Sequence, residues 1–257
     1  MSRISPDAIK PLLNIANHLT DMRYYSASQF TNPGKCPVSV EIEKVIGKDR
    51  GIRLSGHSKF LFDLYTAYKS NSQGYQQYLD IIGPSGISLI RKIGFKEIQT
   101  SSIDYQVKSG GVIKRKKSKK ALIIPQFTIG TNVLSPNQLS EGTFKTITLL
   151  FYLMTEQSSL LLIEEPEVCV HHGLLASILE LIKSYSDEKQ IIISTHSDFV
   201  LDKVALNNVY KVSSTTKNGT KAVHIPKSLS KSELEALKEY LDKEGNLGEY
   251  WKHGSLE

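Results

Sequence analysis

Eight residues constrain this chain more than any others: Leu160-Leu-Leu-Ile-Glu-Glu-Pro-Glu167. Four apolar residues run straight into two adjacent carboxylates. A short continuous apolar run reads as a strand buried on both faces, the habit of a parallel sheet. In open α/β sheets, ligands bind outside the carboxyl ends of the strands. A strand that delivers acids to that end is the metal-and-water edge of a phosphate-handling site. Glu164 is placed to support Mg²⁺, usually through water, and Glu165 to orient or deprotonate an attacking water. Successive side chains on a strand point to opposite sides, so the two acids cannot share one role. Glu-Glu-Pro also ends ordinary core strands, so the stretch needs support from its neighbours.

Two neighbours supply it. Downstream, Ile191-Ile-Ile193 is another continuous apolar strand, ending in Ser194-Thr-His196. A histidine at that edge can reach a γ-phosphate and the attacking water; alone, His196 would as easily cap the helix that follows. Upstream, Leu139, Ser140, Glu141, Gly142 and Thr143 open a helix. Ser140 and the first backbone amides make a helix-N-terminal anion site, and Gly142 lets backbone approach a phosphate closely. A routine serine N-cap is the simpler account of that segment by itself.

The chain around these segments alternates helix and strand. Apolar spacing predicts a helix over residues 4–19, a strand over 22–26, a turn at Pro33-Gly34 and a half-buried strand over 37–45. Residues 57–79 carry aromatics at helical spacing, broken at Asn71-Ser-Gln-Gly74; core and interface packing explains them better than a cofactor site. A turn at Gly83-Pro-Ser-Gly86 precedes a short helix over 87–93. Strands over 98–107 and 121–129 form a hairpin with a long lysine-rich tip around Ser109-Gly-Gly111. Then come helix 143–156, strand 160–163, helix 173–185, strand 191–193, helix 198–204 and strand 209–212. That order predicts a parallel sheet with helical crossovers. A strand at 221–225 follows the Lys217-Asn-Gly219 turn. A helix over 230–241 follows, where Ser232 and Glu235 are spaced for a capping box.

Charge is concentrated in one place. Residues 105–140 contain no acid but hold Lys108, Lys114, Arg115, Lys116, Lys117, Lys119 and Lys120. The net charge is +6, and without those seven residues 25 basic face 26 acidic side chains. The patch is therefore local. It suits the phosphate backbone of a nucleic acid, an acidic partner, or merely a solvated hairpin end. No aromatic is interleaved with the lysines, so base stacking is not supported.

Four motifs in order bring the chain to a known family. Leu139-Ser-Glu-Gly-Thr143 resembles the signature motif of ABC-type ATPases. Leu160 to Glu165 resembles their Walker B strand, and His196 resembles their switch histidine. Glu164-Glu-Pro-Glu167 and Ser194-Thr-His-Ser197 are similar to the branch holding RecF, SMC proteins and the OLD-type ATPases of bacterial defence. Val168-Cys-Val-His-His172 would then include the D-loop. The tail, Gly245 to Gly254, is similar to the C-terminal end of small stand-alone members.

The resemblance implies an α/β, P-loop NTPase-like fold: a mostly parallel sheet with helical crossovers, plus a helical region and a β-hairpin. It implies ATP and Mg²⁺ as cofactors. It also implies an ATP sandwich of two subunits bound head to tail, with Ser140 facing the nucleotide of the other subunit. DNA repair or bacterial anti-phage defence is the implied setting, with a nuclease or effector on a separate chain. Two departures stand out. Residue 164 is Glu where many relatives carry Asp, one methylene longer. The phosphate loop, Gly-x-x-x-x-Gly-Lys-[Ser/Thr], is not found; Gly56-His-Ser-Lys59 and Gly94-Phe-Lys96 lack its spacing. The chain is thus expected to be a C-terminal ATPase lobe over residues 136–257, completed by a Walker A-bearing lobe. Residues 1–135 would form a helical and β region with the basic hairpin at about 98–129. The rival expectation is a catalytically incomplete module that binds nucleic acid or a partner through residues 108–120.

The remaining composition sets limits. An apolar fraction of 40% in 257 residues is enough for a real core. Cys36 and Cys169 offer no disulfide framework and no metal spacing, which predicts a reduced, cytoplasmic protein. No apolar run approaches the roughly 20 residues of a membrane span.

Overall fold

The computed structural model describes residues 15–16, 22–30, 32–45, 48–51, 54, 56–107, 111, 113–156, 158–168, 170–216, 219–243 and 245–252. The chain divides into two compact units, residues 1–194 and 195–257. An early strand joins the parallel sheet of the first unit.

Among the described residues the parallel sheet has three strands, with the acid-bearing one in the middle. β1 (Met22–Ser26) and β8 (Gln190–Ser194) flank β7 (Leu160–Glu164), and both pairings are parallel. Leu161 and Ile163 are buried at 1% and 2% exposure, as a central parallel strand requires. Parallel neighbours need a long connection, and α4 (His172–Tyr185) supplies the one from β7 to β8, burying Leu175, Ile178, Leu179 and Ile182.

Before β7 runs α3 (Glu141–Thr155), buried continuously from Phe144 to Phe151. A helix apolar nearly all round belongs inside a domain, and this one receives partners on several sides. α1 (Gly56–Ser70) contributes Phe60, whose ring meets Phe144 edge-on at 5.5 Å and Phe151 at 5.7 Å. α2 (Gln73–Ile82) brings Tyr78 against Phe151 at 5.5 Å. Gly74 fits closely beneath α3, because a Cβ there would lie 2.8 Å from the Met154 carbonyl oxygen. Phe60 and Phe144 are fully buried, each stabilising the unit by about 2–3 kcal/mol. The aromatic spacing of residues 57–79 is therefore core packing, with Tyr68 left 40% exposed.

Among the described residues this unit also holds a five-stranded antiparallel sheet. It comprises β2 (Val40–Val45), β3 (Lys48–Gly51), β4 (Lys92–Val107), β5 (Ile113–Ile129) and β6 (Asn132–Leu134), in the order β3-β2-β5-β4, with β6 also on β5. β4 and β5 pair residue for residue from Lys92↔Thr128 to Val107↔Ile113.

In the second unit, β9 (Tyr210–Thr215) and β10 (Gly219–His224) form an antiparallel pair. Among the described residues four α-helices accompany them: α5 (Asp198–Leu201), α6 (Ile225–Ser228), α7 (Lys231–Lys243) and α8 (Leu247–Lys252). Ile225, Leu237 and Leu247 form the small core of this unit. The tail docks through the Gly248 amide, which donates to Asp202 Oδ1 at 2.6 Å, and through Lys252, paired with Asp198 at 2.6 Å. Gly248 is required there, since a Cβ would lie 2.6 Å from the Asp198 carbonyl oxygen.

The α/β expectation holds, with corrections to its parts. Residues 87–93 are not a helix. The amides of Leu89 and Ile90 both bond to the carbonyl of Ile82, at 2.9 and 3.0 Å, folding the chain back over the end of α2 and into β4. The strand pair expected around Lys217-Asn-Gly219 is present: β9 and β10 form a two-stranded antiparallel sheet. The capping box is Ser230 with Glu233, two residues before the expected pair. The Ser230 amide donates to Glu233 Oε2 at 2.8 Å, and the Glu233 amide to Ser230 Oγ at 3.3 Å. The basic residues are not a hairpin tip: 114–120 lie within the β5 ladder. The predicted helix over 4–19 falls outside the described residues, except Ile15 and Ala16, which are helical. No helix among the described residues is long and apolar enough to cross a membrane.

Candidate functional site

The site begins where β7 ends. Glu164 is its last residue, and Ser26 of β1 lies opposite it in register, with Tyr24 opposite Leu162. Residues two apart on a strand share a face, so Tyr24 and Ser26 stand on the face of Glu164. The Tyr24 hydroxyl donates to Glu164 Oε2 at 2.5 Å. Ser26, buried at 1% exposure, sits beside Ser28, with their hydroxyls 2.5 Å apart. The Ser26 hydroxyl, and then that of Tyr24, hold the Glu164 carboxyl below the usual carboxylate range. The same hydrogen bond raises the Tyr24 phenol above its ordinary value. Hydrogen bonds that favour the ionised form act in this direction on an acid. Sequence reasoning found the strand but missed these two hydroxyls; the signal was the Tyr-x-Ser alternation of residues 24–26.

Glu165 leaves the strand. Its φ is 45°, in the left-handed region, where a residue with a Cβ is strained by about 1–2 kcal/mol. Pro166 follows, and the position before proline favours extended backbone, which adds to the strain. The position is fixed from both sides. The Glu165 amide donates to the Ser194 carbonyl at 2.8 Å, and the Val168 amide donates to the Glu165 carbonyl at 3.1 Å. A tight turn at the carboxyl end of β7 therefore aims the second acid away from strand alternation. Beyond it, His171 caps α4, with Nδ1 accepting from the Gly173 amide at 3.2 Å. Cys169 lies outside the described residues.

The upstream segment opens α3 as the sequence suggested. Ser140 is its N-cap: Oγ accepts from the Thr143 amide at 3.2 Å and donates to the Thr143 hydroxyl at 2.8 Å. Leu139 is buried at 4% exposure, Ser140 is exposed, and Glu141, Gly142 and Thr143 are half-buried. Glu141 pairs with Lys145 at 2.9 Å, a close ion pair rather than a well-aligned hydrogen bond. The Lys145 carbonyl in turn accepts from the Tyr25 hydroxyl at 3.0 Å. β1 thus touches the first turns of α3 through Tyr25 and the end of β7 through Tyr24.

Of the Ser194-Thr-His-Ser197 run, only Ser194 belongs to β8. His196 is exposed and lies in the second unit, where the Ser197 amide donates to Thr195 Oγ1 at 2.9 Å. Among the basic candidates, Lys114, Arg115, Lys116 and Lys117 are backbone-paired in β5, Lys119 is exposed, and Lys120 pairs with Glu41 at 2.5 Å.

No group of three His, Cys, Asp or Glu among the described residues forms a metal cage. Glu164 presents oxygen ligands only. One carboxylate is what Mg²⁺ takes from a protein when water and substrate phosphates fill the other positions. The residues fit a Mg²⁺ delivered with a nucleotide.

Residues 88–202 match the family model described as AAA domain, putative AbiEii toxin, Type IV TA system. That segment is similar to an AAA-type ATPase domain. It contains β7, Glu164, Glu165 and His196. No curated protein matches the chain. Solved structures similar to it include an SMC ATPase from work on ATP-driven dimerization and DNA-stimulated activation, at 14% identity and TM-score 0.37, covering 73% of this chain and 99% of that one. Another is an SMC head bound to the C-winged helix domain of ScpA, at 14% and 0.39, covering 68% and 48%. A third is an SMC head domain from Pyrococcus furiosus bound to the C-terminal domain of ScpA, at 16% and 0.41, covering 71% and 41%. The chain thus spans less than half of the last two.

Proposed function

We propose that this chain is the C-terminal lobe of an ABC-type ATPase, hydrolysing ATP at a head-to-tail dimer interface once a phosphate-loop lobe completes it. One observation carries the reading: adjacent acids, one hydroxyl-anchored and one in a strained turn, end the central strand of a parallel sheet inside the AAA-like segment. Mg²⁺, when bound, neutralises charge developing on the phosphates. Glu164 holds it through one carboxylate. Glu165 accepts the proton of the attacking water as its oxygen bonds to the γ-phosphorus and the bond to the leaving ADP breaks. His196 donates to a γ-phosphate oxygen. Ser140 and the first amides of α3 receive the nucleotide of the second subunit. Among the described residues β8 has a neighbour on one side only, and Ile192 on it is 49% exposed; that edge suits the strand that must precede a phosphate loop. The implied setting is DNA repair or anti-phage defence, with any nuclease or effector on another chain.

Complementation tests the reading. Alone, the chain should turn over no ATP; co-purified with a polypeptide bearing Gly-x-x-x-x-Gly-Lys-[Ser/Thr], it should. Equal turnover with and without that polypeptide contradicts it.

A second reading rests on the β4–β5 ribbon, where residues 100–107 pair with 113–120 across a run of lysines and an arginine. A two-stranded ribbon of this charge suits a nucleic-acid backbone. Binding to duplex DNA should weaken steeply with salt, and charge reversal of Lys114, Arg115, Lys116 and Lys117 should flatten that dependence. Unchanged binding in the reversed variant removes this reading. Lys120 is omitted because it already serves Glu41.

A further inference from the structure

We infer that Tyr24 is a positioning residue: its hydroxyl, bonded to Oε2 of Glu164, fixes that carboxylate for a divalent cation. The inference rests on the metal role proposed for Glu164 and assigns a residue to support it. Four observations carry it.

First, the contact is direct, at 2.5 Å. Tyr24 is 53% exposed, so its hydroxyl could have bonded water, yet it bonds an acid. Second, the contact follows from backbone register, since Tyr24 sits two residues before Ser26, the partner of Glu164 in the parallel ladder. Third, Tyr24 comes from a rigid strand. Its neighbour Tyr25 is 2% exposed, stacks on Phe30 at 5.4 Å and donates to the Lys145 carbonyl. A tyrosine has only two side-chain torsions, so a fixed backbone nearly fixes its hydroxyl. Fourth, residue 164 is a glutamate. Glutamate carries one more torsion than aspartate and loses more rotamer freedom when it is ordered. A hydroxyl clamp removes that freedom before any cation arrives, as supporting partners do for metal ligands generally.

The experiment uses Mn²⁺ alone as the probe and the full chain without nucleotide. Paramagnetic broadening of the backbone amide signals of Ile163, Glu164 and Glu165 is followed as Mn²⁺ is added. Tyr24→Phe keeps the ring and removes the hydroxyl; it should raise the broadening midpoint about tenfold and leave the thermal midpoint close to that of the unchanged chain. In a Glu164→Asp background the shorter carboxylate no longer reaches the phenol, so Tyr24→Phe should change nothing further. A Tyr24→Phe midpoint equal to that of the unchanged chain, with Glu164→Gln abolishing the broadening, overturns the inference and leaves the metal role of Glu164 standing. A full Tyr24→Phe effect persisting in the aspartate background also overturns it. If Glu164→Gln leaves the broadening intact, the metal role itself fails, and the positioning role with it.

Discussion

The Glu165 amide bonds to the Ser194 carbonyl at 2.8 Å even though Glu165 has a φ of 45°. The hydrogen bond that closes the last parallel pair, Glu164↔Ser194, is therefore donated by backbone a glutamate adopts only under strain. Strain held by a packed scaffold is a mark of sites where geometry matters more than stability. Glu165→Gly should raise stability by about 1 kcal/mol, because glycine enters the left-handed region freely. Glu165→Ala, which keeps a Cβ, should not. Thermal melts of the two variants read the difference. A Gly variant no more stable than the Ala variant would show that the turn is not strained.

Lys145 is 2% exposed and pairs with Glu141 one turn earlier. Burying an ammonium requires desolvation that one ion pair rarely repays in full. Lys145→Met keeps the apolar stem and removes the charge, and Glu141, 38% exposed, can return to water. That variant should be as stable as the unchanged chain or gain about 1 kcal/mol. Lys145→Ala should lose about 2 kcal/mol through the cavity it leaves. Urea unfolding of both variants checks the pair.

Cys36 is buried at 3% exposure, and burial pushes its thiol up to about 12. Thiolate is the reactive form, so Cys36 should resist alkylation in the folded chain at neutral pH. In a Cys169→Ser background, a thiol reagent should label the protein only after denaturant is added. Rapid labelling of the native protein would contradict this burial.

The Ser230–Glu233 capping box carries a sign that can be measured. The Ser230 side chain, then its amide, hold the Glu233 carboxyl below its ordinary value. A carboxyl depressed on folding adds stability that is fully present above its unfolded pKa and is lost as pH falls through the folded value. Amide protection in the first turn of α7 should therefore fall on acidification below about pH 4.5, the ordinary carboxyl value. Glu233→Gln should flatten that pH dependence. Equal acid sensitivity in both forms would remove Glu233 from the cap.

Legibility in the sequence followed the physics of each segment. β7 and α3 were readable because continuous apolar runs and helical spacing mark buried elements directly; β8 was readable as a strand from its apolar run, although Ile192 on it is 49% exposed. The edges were harder. Residues 87–93 are apolar enough for a helix, but the Ile82 carbonyl captures the amides of Leu89 and Ile90 and turns the chain, bonds seven and eight residues apart that helical spacing does not show. The lysines of 114–120 looked like a loop because strands rarely carry such charge; their pairing with β4 came from register set farther down the hairpin. Glu164 and Glu165 were legible as acids at a strand end. Their opposite treatments were not, since one depends on β1 arriving beside β7 and the other on a backbone dihedral.

The most direct measurement compares ATP turnover by the phosphate-loop-completed assembly carrying Glu165 with turnover by the same assembly carrying Glu165→Gln. Turnover should fall by about a hundredfold or more, the usual worth of a positioned general base, while ATP still binds. Turnover that is unchanged by Glu165→Gln would contradict the assignment of this strand end as the hydrolytic half of the site.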